Sequence, residues 1–154
     1  MLNAIKTIAA ISTASGAGGI GVIRISGPLA LELAQKISGG NLKPRIANFH
    51  SFKDLNGSLI DQGLILFFPG PNSFTGDDII EFQCHGGTVV TQSILDLCLR
   101  LGAVLAEPGE FSKRAYLNNK IDLAQAESIA DLINASTSEA AQSAANSLSG
   151  KFSL

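Results

Sequence analysis

Tryptophan is absent, tyrosine and methionine occur once each, and only two cysteines stand among 154 residues. Two thiols in a chain without a secretory signal do not build a disulfide framework, so Cys84 and Cys98 read as free thiols. With His50 and His85 they show none of the ligand spacings of a structural zinc site, and no metal ligands are expected. A basic excess is missing too. Lys plus Arg number 11 against 13 for Asp plus Glu, a formal net charge of -2, which disfavours a stand-alone nucleic-acid binder. No apolar run approaches the ~18 residues of a membrane span. The chain is therefore expected to be cytoplasmic, with no membrane partner. The pattern G-x-x-x-x-G-K-[ST] is also absent, so this chain by itself is not expected to hydrolyse a nucleoside triphosphate through a P-loop.

What is present is a hydrophobic content of 45%, ordinary for a globular protein and enough for one core, which excludes disorder as the main description. Residues 6–12 and 20–26 are β-branched and apolar, separated by the glycine turn Ser15-Gly16-Ala17-Gly18-Gly19, and predict two strands. Pro28 opens a helical pattern carrying Leu29, Leu33 and Ile37, and Gly39-Gly40 closes it. Residues 41–57 are mixed and polar, ending in a hairpin turn at 54–57. Strands are expected at 59–68 and 78–84 around a loop at 69–76. A helix of about four turns fits 88–101, capped by Gly102. A short strand at 103–106 and a short helix at 108–118 follow. From Lys120 onward the composition turns to Ala, Ser, Asn and Gln. The expectation is an α+β domain, a small mixed β-sheet packed with helices over 1–118, followed by an α-helical arm over 119–154. The S-x-x-E form of Ser136 to Glu139 predicts a helix restart. Such an Ala-rich arm has too little partner surface to bury its own face, which implies missing sequence, another subunit, or both.

Gly16-Ala17-Gly18-Gly19-Ile20-Gly21 satisfies G-x-G-x-x-G, but Gly21 leads into strand residues, whereas a dinucleotide site needs a helix there. A tight turn or a close ligand approach explains the glycines instead. In the strand at 78–84, period two places Ile80, Phe82 and Cys84 on a core face and Ile79, Glu81, Gln83 and His85 on the other. A carboxylate, an amide and an imidazole in one stripe could read a polar heterocycle. The same parity points Cys84 and His85 apart, which weighs against a nucleophilic dyad, and no catalytic residue is assigned. Arg24 lies mid-strand and needs a partner. That partner is either an internal carboxylate, Glu81 among them, or an anionic or carbonyl group of a ligand. Residues 107–122 concentrate charges, amides and the single tyrosine, and periodicity cannot choose Lys120 over Lys113.

Gly18-Gly19-Ile20-Gly21-Val22-Ile23-Arg24-Ile25-Ser26-Gly27, Pro69-Gly70-Pro71-Asn72-Ser73-Phe74-Thr75-Gly76-Asp77-Asp78, His85-Gly86-Gly87, Pro108-Gly109-Glu110-Phe111-Ser112 and the run from Asn118 to Asp131 together resemble the N-terminal region of the MnmE (TrmE) tRNA-modification GTPases. The resemblance extends from about Thr7 to Phe152. It implies a folate-binding and dimerisation domain related in fold to aminomethyltransferases, then the start of a helical domain. The G domain, with its potassium and magnesium, and the C-terminal cysteine motif of the family would lie outside this chain. It further implies a tetrahydrofolate derivative, in the 5-formyl or 5,10-methylene form, as cofactor. The implied partners are a second copy, an FAD-dependent protein of the MnmG type, and tRNA, whose wobble uridine is modified at carbon 5. Family ligand-binding positions fall on Arg24, Glu81 and Lys120. Glu81 would accept N–H groups of the pterin edge, and Arg24 and Lys120 would face carbonyl or carboxylate groups. Two departures are Ala17, where many members carry a basic residue, and Cys84, where glycine is usual. The alternatives are a free-standing aminomethyltransferase-like enzyme and a dimerisation scaffold in which Arg24 and Glu81 merely pair.

Overall fold

The computed structural model describes residues 5–150; the tetrapeptides at either end, including the last residues of the expected arm, lie outside the described residues. The chain divides into two units at the Pro108–Gly109 junction, so that the helix beginning at Glu110 groups with the helices after it.

The first unit is a six-stranded mixed sheet with two helices, the expected α+β architecture. Its strands are β1 (Ile8–Ile11), β2 (Gly18–Ser26), β3 (Asn48–Lys53), β4 (Leu59–Phe68), β5 (Ile79–Gly86) and β6 (Val104–Leu105), in the order β3-β4-β5-β2-β1-β6. Neighbours run antiparallel except β1 and β6, which are parallel. Helices α1 (Ala30–Ser38) and α2 (Thr88–Arg100) pack on one face. There Leu33 and Ile37 of α1 and Ile94 and Cys98 of α2 join Ile23, Ile25, Ile65, Ile80 and Phe82 in one apolar cluster. Phe82 meets Phe52 edge to face at 5.4 Å between centroids, and burying a ring of this size contributes about 1.5–3 kcal/mol. Alternation leaves Val22 and Arg24 of β2, and Glu81 and Gln83 of β5, half-buried on the opposite face.

The helix ends follow the residues expected to cap them. Gly39 takes φ 70° and Gly102 φ 116° just past α1 and α2, a backbone region that glycine enters without the steric cost of a Cβ. No helix starts at Gly21, which continues β2. It is glycine because β2, β5 and α2 converge there: a Cβ would come within 2.5 Å of Thr91 Cγ2 and 3.3 Å of Gly86 Cα.

Three features differ from the sequence expectation. Ile79, on the parity of Glu81, is buried, since it lies between Ser26 of β2 and Phe68 of β4 in the sheet interior. Residues 48–53 form the edge strand β3, because Phe52 reaches the core while its neighbours stay polar and half-buried or exposed. β5 runs on to Gly86, since Gly86 pairs with Gly18 across a bulge and the Asp61 carboxylate accepts the His85 amide at 2.8 Å where the β4 ladder has ended.

The second unit holds α3 (Glu110–Leu117), α4 (Leu123–Asn134) and α5 (Ser138–Leu148). Asp122 caps α4 in a reciprocal capping box with Gln125. The helix restarts where expected, one residue later in its cap: Thr137, and not Ser136, accepts from the Ala140 amide at 3.1 Å. Helix α4 packs on α5, with a Gln125 Nε2 donation to the Leu148 carbonyl at 3.0 Å, and Ser128 of α4 is buried with its hydroxyl donating to the Ala124 carbonyl at 2.7 Å. Leu123 and Ile133 remain exposed.

Candidate functional site

The antiparallel register of β2 and β5 sets Arg24 directly opposite Glu81, with Leu66 of β4 on the far side of Glu81. Directly opposed residues on one face have Cβ atoms about 4.5–5.5 Å apart, so the two side chains meet without distortion. Arg24 donates from Nε at 3.1 Å and from Nη2 at 3.0 Å, both to Glu81 Oε1. Glu81 Oε2 has no hydrogen-bond partner among the described residues, and no buried side-chain oxygen or nitrogen is left unsatisfied among them, so Oε2 reaches solvent. The pair is 31% and 18% exposed at the side chains. A carboxylate with one oxygen fixed by a guanidinium and the other open is a ready acceptor for an N–H edge.

The segment between β4 and β5 closes one side of this pair. The Phe74 ring centroid lies 5.8 Å from Arg24 Cζ, within the range of a cation–π contact. Next to it Thr75 is fully buried and shares a 2.8 Å hydrogen bond with Ser26, two residues beyond Arg24 on β2.

Gln83 is half-buried in the same stripe, and His85 at its end is exposed. His85 Nδ1 lies 2.9 Å from Asp61 Oδ1. Burial alone would raise the Asp61 carboxyl, but the amide and ring of His85 and the Gln62 amide outweigh it and hold its pKa below the ordinary 3.8. Sequence patterning did not single out Asp61, because nothing in β4 marks a carboxylate that caps a neighbouring strand.

The thiols are inert by position. Burial, with some help from the Asp61 charge, pushes Cys84 up to about 11, and burial pushes Cys98 up to about 12. Neither carries appreciable thiolate at neutral pH. Cys84 Sγ donates to the Gly21 carbonyl at 3.4 Å. Among the described residues no group of three or more His, Cys, Asp or Glu side chains is arranged to hold a metal ion.

The glycine turn lines a separate cavity of about 460 Å³ with the first turn of α2, formed by residues such as Thr13, Gly16, Gly18, Thr88 and Thr91. Lys120 belongs to the second unit. It is exposed just after α3, where Asn119 takes φ 59° and the Lys120 amide donates to the Ala115 carbonyl at 2.8 Å. Of the three positions expected from the resemblance, the structure brings Arg24 and Glu81 into direct contact within the first unit.

Residues 7–120 match the family model described as GTP-binding protein TrmE N-terminus. The chain is 58% identical over 148 residues to the tRNA modification GTPase MnmE of Pseudomonas entomophila, an alignment covering 96% of this chain and 32% of that protein. It is 62% identical over 148 residues to the protein of the same name from Chromobacterium violaceum, covering 96% and 33%. With that of Pseudomonas paraeruginosa it shares 58% over 153 residues, covering 99% and 34%. The chain thus spans about a third of the length of these curated relatives.

Proposed function

Because the chain belongs to the family of TrmE N-terminal regions, we propose that it is the tetrahydrofolate-binding part of a GTPase that modifies carbon 5 of the tRNA wobble uridine. In this reading residues 1–118 bind folate and pair two copies, and residues 119–154 begin a helical domain. GTP hydrolysis, with its potassium and magnesium, belongs to the G domain of such a GTPase. An FAD-dependent protein of the MnmG type and tRNA engage the whole assembly. A bound reduced folate supplies the one-carbon unit.

The observation that carries the folate reading is the state of Glu81. Its Oε1 is held by Arg24 while Oε2 is open to solvent, which leaves Oε2 to accept from an N–H of a pterin edge. Arg24 fixes one oxygen of that carboxylate by two hydrogen bonds and so sets its orientation. Lys120 supplies a cation for a carbonyl or carboxylate group. No residue of this chain is assigned a proton transfer.

A second reading draws on the same pair. Arg24 and Glu81 satisfy one another, as they would in a scaffold whose task is dimerisation alone. Calorimetric titration of the chain with 5-formyltetrahydrofolate, beside Glu81→Ala, separates the two. Binding to the parent and its loss in the variant, with an unchanged circular dichroism spectrum, supports the folate site; equal affinity in both removes Glu81 from it. An absence of binding to either favours the scaffold over an aminomethyltransferase-like enzyme as well.

A further inference from the structure

The segment joining β4 to β5 is held far more firmly than a connecting loop needs. Asp78 accepts the Gly70 amide at 2.8 Å, Ser73 donates to the Asp77 carbonyl and accepts from the Gly76 amide at 3.0 Å, and Thr75 Oγ1 accepts from the Asp77 amide at 3.2 Å. The buried Ser26–Thr75 bond ties its middle to β2. From outside, Arg45 Nη2 donates to the Asn72 carbonyl at 2.6 Å while the Arg45 amide bonds the Phe67 carbonyl at 2.9 Å. Arg45 does this from φ 65°, a backbone region that costs a non-glycine residue of order 1 kcal/mol.

The braced segment leaves one apolar ring partly in water. Phe74 is 37% exposed although Thr75 beside it is fully buried. Its ring lies against the Arg24 guanidinium, and that guanidinium lies against Glu81. Ring and guanidinium are both flat and both offer a π face, and the guanidinium is bonded to the same carboxylate through Oε1, so the ring stands one side chain away from Oε2, a setting suited to a planar conjugated group.

We propose that Phe74 is a specificity-determining residue of the Glu81 site: its ring forms the wall against which a flat heterocycle stacks while Glu81 Oε2 accepts that heterocycle's N–H edge, with Arg45 and Thr75 as positioning residues of the wall. This rests on the reading of the site as a folate site and adds to it the means by which a conjugated ring is told from an aliphatic one. Glu81 alone selects for hydrogen-bond donors. Phe74 selects for shape and π character.

The test is titration of the full chain with 5-formyltetrahydrofolate for the parent, Glu81→Gln, Phe74→Tyr, Phe74→Trp and Phe74→Leu, with urea unfolding of each. Tyrosine and tryptophan should retain parental affinity. Leucine, of similar bulk but without a π face, should weaken binding by about tenfold with the unfolding midpoint unchanged, because Phe74 is partly in water. Parental affinity in Phe74→Leu alongside a loss in Glu81→Gln overturns the wall and leaves the folate reading intact. No binding by the parent, or none of it lost in Glu81→Gln, overturns both.

Discussion

Replacing Gly63 by alanine should break the join between β4 and β5 on which the position of Glu81 depends. Gly63 sits in β4 opposite His50 of β3. A Cβ there would overlap the Gln83 carbonyl oxygen and lie 3.1 Å from both the Gln83 carbonyl carbon and Phe52 Cε2. The first obstacle is backbone and cannot rotate away, so β5 must retreat from β4 near the Leu64–Gln83 and Ile65–Phe82 pairs. Weakening about two ladder hydrogen bonds costs about 2 kcal/mol. Displacing the fully buried Phe52 ring adds roughly 1–3 kcal/mol. Alanine recovers about 0.5–1 kcal/mol through its smaller backbone entropy loss. The net loss is about 3 kcal/mol, or roughly 10–20 °C in Tm for a unit of this size. Gly19→Ala is the control: a Cβ there meets nothing within 4 Å, and its effect should stay within about 0.5 kcal/mol. Thermal and urea unfolding followed by far-ultraviolet circular dichroism reads both. A Gly63→Ala midpoint equal to that of Gly19→Ala would refute the close-approach argument.

Acid should expose the Asp61 contact. Its folded pKa lies below the ordinary 3.8, so the contact adds stability that is present above that pH and lost as pH falls through the depressed folded value. Asp61→Asn should therefore lower stability at pH 7 and give a flatter loss of stability below pH ~4; an unchanged acid limb in urea titrations at pH 2.5–7 counts against the contact. The two thiols, pushed up to about 11 and about 12, should resist iodoacetamide at pH 8 in the folded chain and react readily in urea. Fast alkylation of Cys84 in the native state, read by peptide mass spectrometry, would contradict its burial.

The parts legible from residues were those where a local pattern and the tertiary environment ask for the same thing. Period two in β5 separated Ile80, Phe82 and Cys84 from Glu81, Gln83 and His85, and the sheet buries the first set. Helix ends at Gly39 and Gly102 followed from backbone demands that only glycine meets cheaply. The glycines before Val22 refused a nucleotide fold because strand residues came next. Strand β3 escaped notice because an edge strand buries one side chain in the core, Phe52, which leaves too little alternation to read.

Parity along one strand set which face Arg24 and Glu81 occupy; it did not set which residues from other strands face them. That came from register, since β2 and β5 are joined through more than fifty residues and a slip of one would turn each side chain to the opposite face. Pairing of Arg24 with Glu81, capping of His85 by Asp61 and the placing of Phe74 against the guanidinium each depend on contacts between segments distant in sequence. Local pattern could mark each of these side chains as polar, aromatic or exposed. Only the closed sheet, fixed by the burial of Ile23, Ile25, Phe82 and their helical neighbours, decided which of them meet.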